Sequence, residues 1–73
     1  MIDTLMKMYE AEVLKAKTNI DVYMRHPVGI GEHSDLVSAV DEQVSKMAEA
    51  QDKIDTLKKF YPPNPTAVPP VQF

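Results

Sequence analysis

Apolar residues recur between Ile2 and Tyr23 at alternating steps of four and three positions. Such steps place all of them on one stripe of an α-helix, and three repeats are typical of coiled-coil packing. Neither glycine nor proline occurs before Pro27, so nothing in this stretch interrupts a helix. The pattern predicts a helix over about residues 3–25. Its stripe consists of Ile2, Met6, Tyr9, Val13, Ala16, Ile20 and Tyr23.

A second apolar series begins after Ser34 and continues to Tyr61, where Pro62 and a further proline stop it. Acidic residues precede lysines by four positions, as in Glu42–Lys46 and Glu49–Lys53, which is the stabilising order on a helix. The series therefore predicts a second helix over about residues 34–61. Its apolar residues are Leu36, Val37, Val40, Val44, Met47, Ala50, Ile54, Leu57 and Tyr61.

The two helical patterns are separated by a turn-like segment, residues 26–33. Pro27 disfavours helical backbone in the residue before it, and Gly29 and Gly31 can adopt the positive φ of a sharp reversal. Ser34 offers a capping oxygen to the next helix, and Asp35 is expected in the first turn of that helix. The sequence thus predicts an all-α fold, with residues 1–61 forming an antiparallel, coiled-coil-like hairpin of two helices.

Several apolar residues of the first helix fall off its stripe, namely Met8, Leu14 and Val22. One partner helix covers only one stripe, and a two-helix hairpin of 73 residues buries little surface. We therefore expect the hairpin to complete a helical bundle by forming a homo-oligomer. Gln51 falls within the apolar series of the second helix. It either fixes register or oligomeric state, or it is a half-exposed glutamine at the edge of the stripe.

A proline-rich arm, residues 62–73, follows the hairpin and contains five of the six prolines and no charged side chain. This composition favours an extended polyproline II conformation. Val68, Val71 and Phe73 supply apolar anchors that a simple spacer does not need. The arm is predicted to bind a groove on a neighbouring chain or on a protein partner, the alternative being a flexible tail.

Composition excludes several functional classes. The chain has no cysteine, so neither a disulfide nor a cysteine nucleophile is available. The net charge of −3 and the absence of a basic face argue against nucleic-acid binding. The N-terminal residues do not resemble a signal peptide, and the apolar runs are too short to cross a bilayer. No set of residues has the pattern of a catalytic site, so neither an enzymatic activity nor a bound cofactor is expected.

One cluster of possible metal ligands lies near the turn and consists of His26, Glu32, His33 and Asp35. Imidazole and carboxylate groups bind zinc and other divalent ions, but the spacing matches no metal motif. The favoured interpretation is a histidine at a helix C-terminus beside a polar capping segment, with no metal site. The alternative is a small metal- or pH-responsive regulator that uses His26 and His33.

The turn from Arg25 to Val37, with its Pro-Val-Gly-Ile-Gly-Glu-His segment, and the end of the second helix at Leu57–Tyr61 carry a family resemblance. Residues 2–61 resemble small uncharacterised helical proteins of T4-like bacteriophages, particularly those that infect marine cyanobacteria. The resemblance implies a phage accessory, structural or host-modulating protein in the bacterial cytoplasm or the virion. Together with the helical pattern, it predicts a non-enzymatic protein that acts through protein–protein contacts.

Overall fold

A computed structural model describes residues 1–26 and 35–62, and within these ranges the chain forms two α-helices. Helix α1 comprises the 24 residues Ile2–Arg25, and helix α2 comprises the 25 residues Leu36–Phe60. At 1.5 Å per residue each helix is about 37 Å long. The prediction of an all-α fold is confirmed for the described residues.

The two helices pack against each other and run antiparallel. Asn19 of α1 is hydrogen-bonded to Gln43 of α2, whereas Tyr9, earlier in α1, contacts Lys53, later in α2. The predicted pair of packed antiparallel helices is therefore confirmed. The predicted turn residues and arm anchors lie outside the described residues, namely Pro27, Gly29, Gly31, Ser34, Val68, Val71 and Phe73.

The helices end close to the breaks in the sequence pattern. The backbone N–H of His26 donates to the carbonyl oxygen of Val22 at 2.8 Å, which closes the last turn of α1. Asp35 is the residue before α2, with φ −103° and ψ 8°, outside the usual helical region. The expectation that it lies in the first turn was wrong, because α2 begins at Leu36, two residues later than expected.

The exposed helix faces carry ion pairs at the predicted spacing. Lys46 lies 3.9 Å from Glu42, and Lys53 lies 3.8 Å from Glu49. These two predicted pairs are therefore present. Their side chains are at least half exposed, so each pair adds only a few tenths of a kcal/mol, about 0.3–0.5, to helix stability. The same spacing also predicted Asp3–Lys7, Asp21–Arg25 and Asp55–Lys59. In the described helices, however, Lys7 pairs with Glu10 and Asp21 pairs with Lys17.

The interior of the hairpin is small. Its most buried apolar residues are Ala16, Ala50 and Ile54, which are 2%, 5% and 5% exposed. All seven residues of the predicted α1 stripe are buried or half-buried, so that part of the prediction is confirmed. Because alanine side chains occupy the middle of the interface, the described helices bury little apolar volume against each other.

The predicted stripe of α2 was wrong at three positions. Val37 is 80% exposed, Val44 is 44% exposed and Tyr61 is 62% exposed. The side of α2 that faces α1 instead includes the buried or half-buried residues Leu36, Ala39, Val40, Gln43, Met47, Ala50, Ile54 and Leu57. Apart from Ala39, these residues repeat at steps of four and three, the same period as in α1, and Val37 and Val44 fall outside it.

Candidate interaction surfaces

One side of the hairpin, here called the polar flank, centres on a hydrogen bond between the helices. The side-chain Nδ2 of Asn19 donates to Oε1 of Gln43 at 3.1 Å. Gln43 is only 7% exposed and is the one buried polar residue among those described. A buried amide is favourable only when it is hydrogen-bonded, so this contact favours the observed register over registers shifted along the helix axis.

A shallow groove of about 350 Å³ follows the polar flank, and Ala16 and Ala50 contribute to its lining. Lys53 lies over the ring of Tyr9, with Nζ 5.3 Å from the ring centroid, which is within the range of a cation–π contact. The polar and charged residues of the lining are Glu12, Lys15, Asn19, Gln43, Lys46, Glu49 and Lys53. Because both charges alternate around it, the groove does not select a strongly charged partner.

Gln51 does not have the position that the sequence suggested for a register-fixing residue. It is exposed, and its Nε2 donates to Oδ1 of Asp55 in the next turn of α2, at 3.0 Å. Gln43, eight residues earlier in α2, is instead the polar residue that is buried between the two helices. A contact of Gln51 with a partner stays a prediction.

The opposite side, the apolar flank, contains a groove of about 560 Å³ near the ends of the helices. We call it the apolar groove. The half-buried side chains of Ile2, Met6 and Leu57 and the exposed ring of Tyr61 line it, together with charged residues. Its volume is within the range of sites that hold small ligands or short segments of chain. The charged residues of its lining are Asp3, Lys7, Glu10 and Lys58.

Toward the other end of the hairpin, the same flank carries further exposed apolar side chains. Val37 and Val44 precede Lys58 by three and two heptads, so all three share one side of α2. In α1, Met24 follows Asp3 by three heptads and Leu14 follows Lys7 by one heptad. Lys58, Asp3 and Lys7 line the apolar groove. The exposed residues that share their heptad positions therefore lie on the same flank as the groove. We call Leu14, Met24, Val37 and Val44 the apolar patch.

The structure separates the three apolar residues that the sequence placed off the stripe of α1. Leu14 lies on the apolar flank, whereas Met8 lines the groove of the polar flank, and Val22 is two heptads from Met8 on the same side. All three are exposed, at 63%, 54% and 47%. They do not form one surface. Sequence reasoning missed Met24, which is 70% exposed, although this residue falls off the stripe of α1 as Leu14 does.

The candidate metal ligands are only partly within the described residues. His26 and Asp35 are exposed residues at the ends of α1 and α2, and Glu32 and His33 lie outside the described ranges. Among residues 1–26 and 35–62 there is no group of three or more side chains suited to hold a metal ion. The described residues therefore do not test the alternative in which these four side chains bind a metal ion. In the same ranges, no helix has the combination of length and apolar character needed to cross a membrane.

Comparison with known proteins identifies no related protein. No family model matches the chain, and searches of curated proteins and of solved structures give no match. The interaction surfaces therefore have to be interpreted from their own chemistry.

Proposed function

We propose that this protein is a non-enzymatic interaction module whose hairpins associate with one another through the apolar flank. The observation that carries the proposal is the apolar patch, in which Leu14, Met24, Val37 and Val44 are 63%, 70%, 80% and 44% exposed. Isolated exposed apolar side chains are common, but a cluster of four on a hairpin with so small an interior favours burial by a partner.

The patch suits a second copy of the same chain because it carries little net charge. Lys17 lies one heptad before Met24, and Asp21 lies one heptad after Leu14. Both residues are therefore on the same flank as the patch. They form an ion pair with Nζ 3.0 Å from Oδ2, so their charges cancel locally. Asp41, which lies between Val37 and Val44 on α2, leaves one negative charge beside the patch. Two such patches pack together as a four-helix bundle.

The energy available is modest. The exposed parts of the four side chains amount to about two and a half whole side chains per copy, or about 5 kcal/mol of apolar burial. Two copies gain about 10 kcal/mol, and association costs at least about 4 kcal/mol in lost translation and rotation. The remainder, about 6 kcal/mol at most, corresponds to a dissociation constant of tens of micromolar or weaker.

Sedimentation equilibrium over a concentration range from about one tenth to ten times that dissociation constant tests the proposal. We expect the average mass to rise with concentration from that of one chain toward that of two. The double variant Met24→Glu/Val37→Glu should stay at the mass of one chain, because it places two charges in the interface.

The polar flank supplies the matched control. Met8→Glu/Val22→Glu changes the same number of exposed apolar residues, with the same added charge, on the opposite side of the hairpin. It should associate as the unmodified chain does. A wild-type chain that stays monomeric over the whole range contradicts self-association, and equal loss in both variants contradicts the choice of flank. Circular dichroism of each variant checks that the helices are retained.

The resemblance of residues 2–61 to proteins of T4-like bacteriophages supports a biological setting for such a module. We propose an accessory, assembly or host-modulating role, either in the virion or in the cytoplasm of the infected bacterium. Mass spectrometry of purified virions and of the soluble fraction of infected cells distinguishes these two locations.

A further inference from the structure

We infer that the apolar groove binds the proline-rich arm of its own chain, through residues between Pro63 and Phe73. The groove and the arm are adjacent, because Tyr61 lines the groove and is the residue before Pro62, where the arm begins. The inference does not depend on self-association, since the apolar patch and the groove occupy opposite ends of the apolar flank.

The chemistry of the groove matches that of the arm. The groove presents Ile2, Met6 and Leu57 together with the exposed aromatic ring of Tyr61, and aromatic-lined grooves are a recurrent binding surface for proline-rich segments. Residues 63–73 carry no charged side chain. Their side chains therefore bring no charge that has to be desolvated or paired, and the two acids and two lysines of the groove lining already balance one another.

The length of the arm also fits. The groove extends along α1 from Ile2 to Glu10, eight residues or about 12 Å. In polyproline II, residues three apart lie on one face and are about 9 Å apart, so Val68 and Val71 present their side chains together over that length. The five residues 63–67 span up to about 15 Å. This length is enough for the chain to reverse its direction after Tyr61 and return to the groove.

Two methionines allow a direct test in the full-length chain. Met6 lines the apolar groove, whereas Met24 is 70% exposed near the opposite end of the same flank. Because the chain has no cysteine, Gln72→Cys provides a single attachment site for a nitroxide spin label. We expect the ¹³C-methyl NMR signal of Met6 to lose most of its intensity through paramagnetic relaxation and that of Met24 to keep nearly all of it.

A second chain in the sample shows which copy supplies the arm. Spin-labelled chain without ¹³C is mixed with ¹³C-methionine chain that has no spin label. Binding within one chain predicts that the Met6 signal of the mixture is unaffected. Broadening of Met6 in the mixture, as strong as in the doubly labelled chain, means that another copy supplies the arm and overturns the inference. Equal intensities for Met6 and Met24 in the doubly labelled chain overturn it as well.

Variants of the arm test which face of the arm contacts the apolar groove, and they leave both helices unchanged. Val68→Asp/Val71→Asp should shift the Met6 methyl resonance toward its position in a chain truncated after Pro62 and abolish the paramagnetic effect. Thr66→Asp/Gln72→Asp adds the same charge on a different face of a polyproline II helix and should leave the Met6 resonance unchanged. If both double variants shift Met6 equally, or neither does, Val68 and Val71 do not bind the groove.

Discussion

The hydrogen bond between Asn19 and Gln43 leads to the most informative prediction for the hairpin. Gln43→Ala removes a bond of 3.1 Å from a residue that is 7% exposed. The lost hydrogen bond is worth about 1 kcal/mol, and the buried methylene that is also removed is worth about 0.8 kcal/mol. Alanine is a slightly better helix former than glutamine, so the substitution recovers a small part of the lost stability. We expect the free energy of unfolding to fall by about 1.5–2 kcal/mol.

Gln51→Ala is the matched control for this substitution. It makes the same chemical change in the same helix, but Gln51 is exposed and bonds only to Asp55, one turn away. Its effect should remain within about 0.5 kcal/mol. Urea unfolding followed by far-ultraviolet circular dichroism measures both values, and all proteins are compared at one protomer concentration because association adds to apparent stability.

A double-mutant cycle separates the bond from the loss of packing. Asn19→Ala, Gln43→Ala and the double variant should give a coupling energy of about 0.5–1.5 kcal/mol. A coupling near zero, or a loss for Gln43→Ala no larger than that for Gln51→Ala, refutes the argument that this pair holds the two helices in register.

Two further predictions concern packing and the turn. Ala50→Leu inserts a large side chain at a position that is 5% exposed and should destabilise by about 1–3 kcal/mol, whereas Ala48→Leu on the exposed side of α2 should be nearly neutral in the same urea assay. At least one of Gly29→Ala and Gly31→Ala should lower the midpoint of thermal unfolding, with a loss above about 1 kcal/mol, because the reversal is expected to need positive φ there. Neutral results for both glycine variants contradict that expectation.

The sequence by itself determined where helices form. Helix propensity, the position of prolines and the period of apolar residues are local properties, so α1 and α2 lie close to their predicted ranges. The inward stripe of α1 was also predictable, because its seven apolar residues follow one uninterrupted period. Gln43 was predictable in principle, since it continues the same alternation of steps between Val40 and Met47. We did not predict it because it is polar.

The candidate surfaces depended on tertiary structure. Helix α2 has more apolar positions than one neighbouring helix covers, so its sequence is compatible with more than one rotation about its axis. Contact with α1 selects the rotation in which Ala50 lies in the interface and Gln43 meets Asn19. That rotation leaves Val37 and Val44 exposed. The apolar patch thus arises from how two helices are placed against each other, which the pattern along either helix alone does not specify.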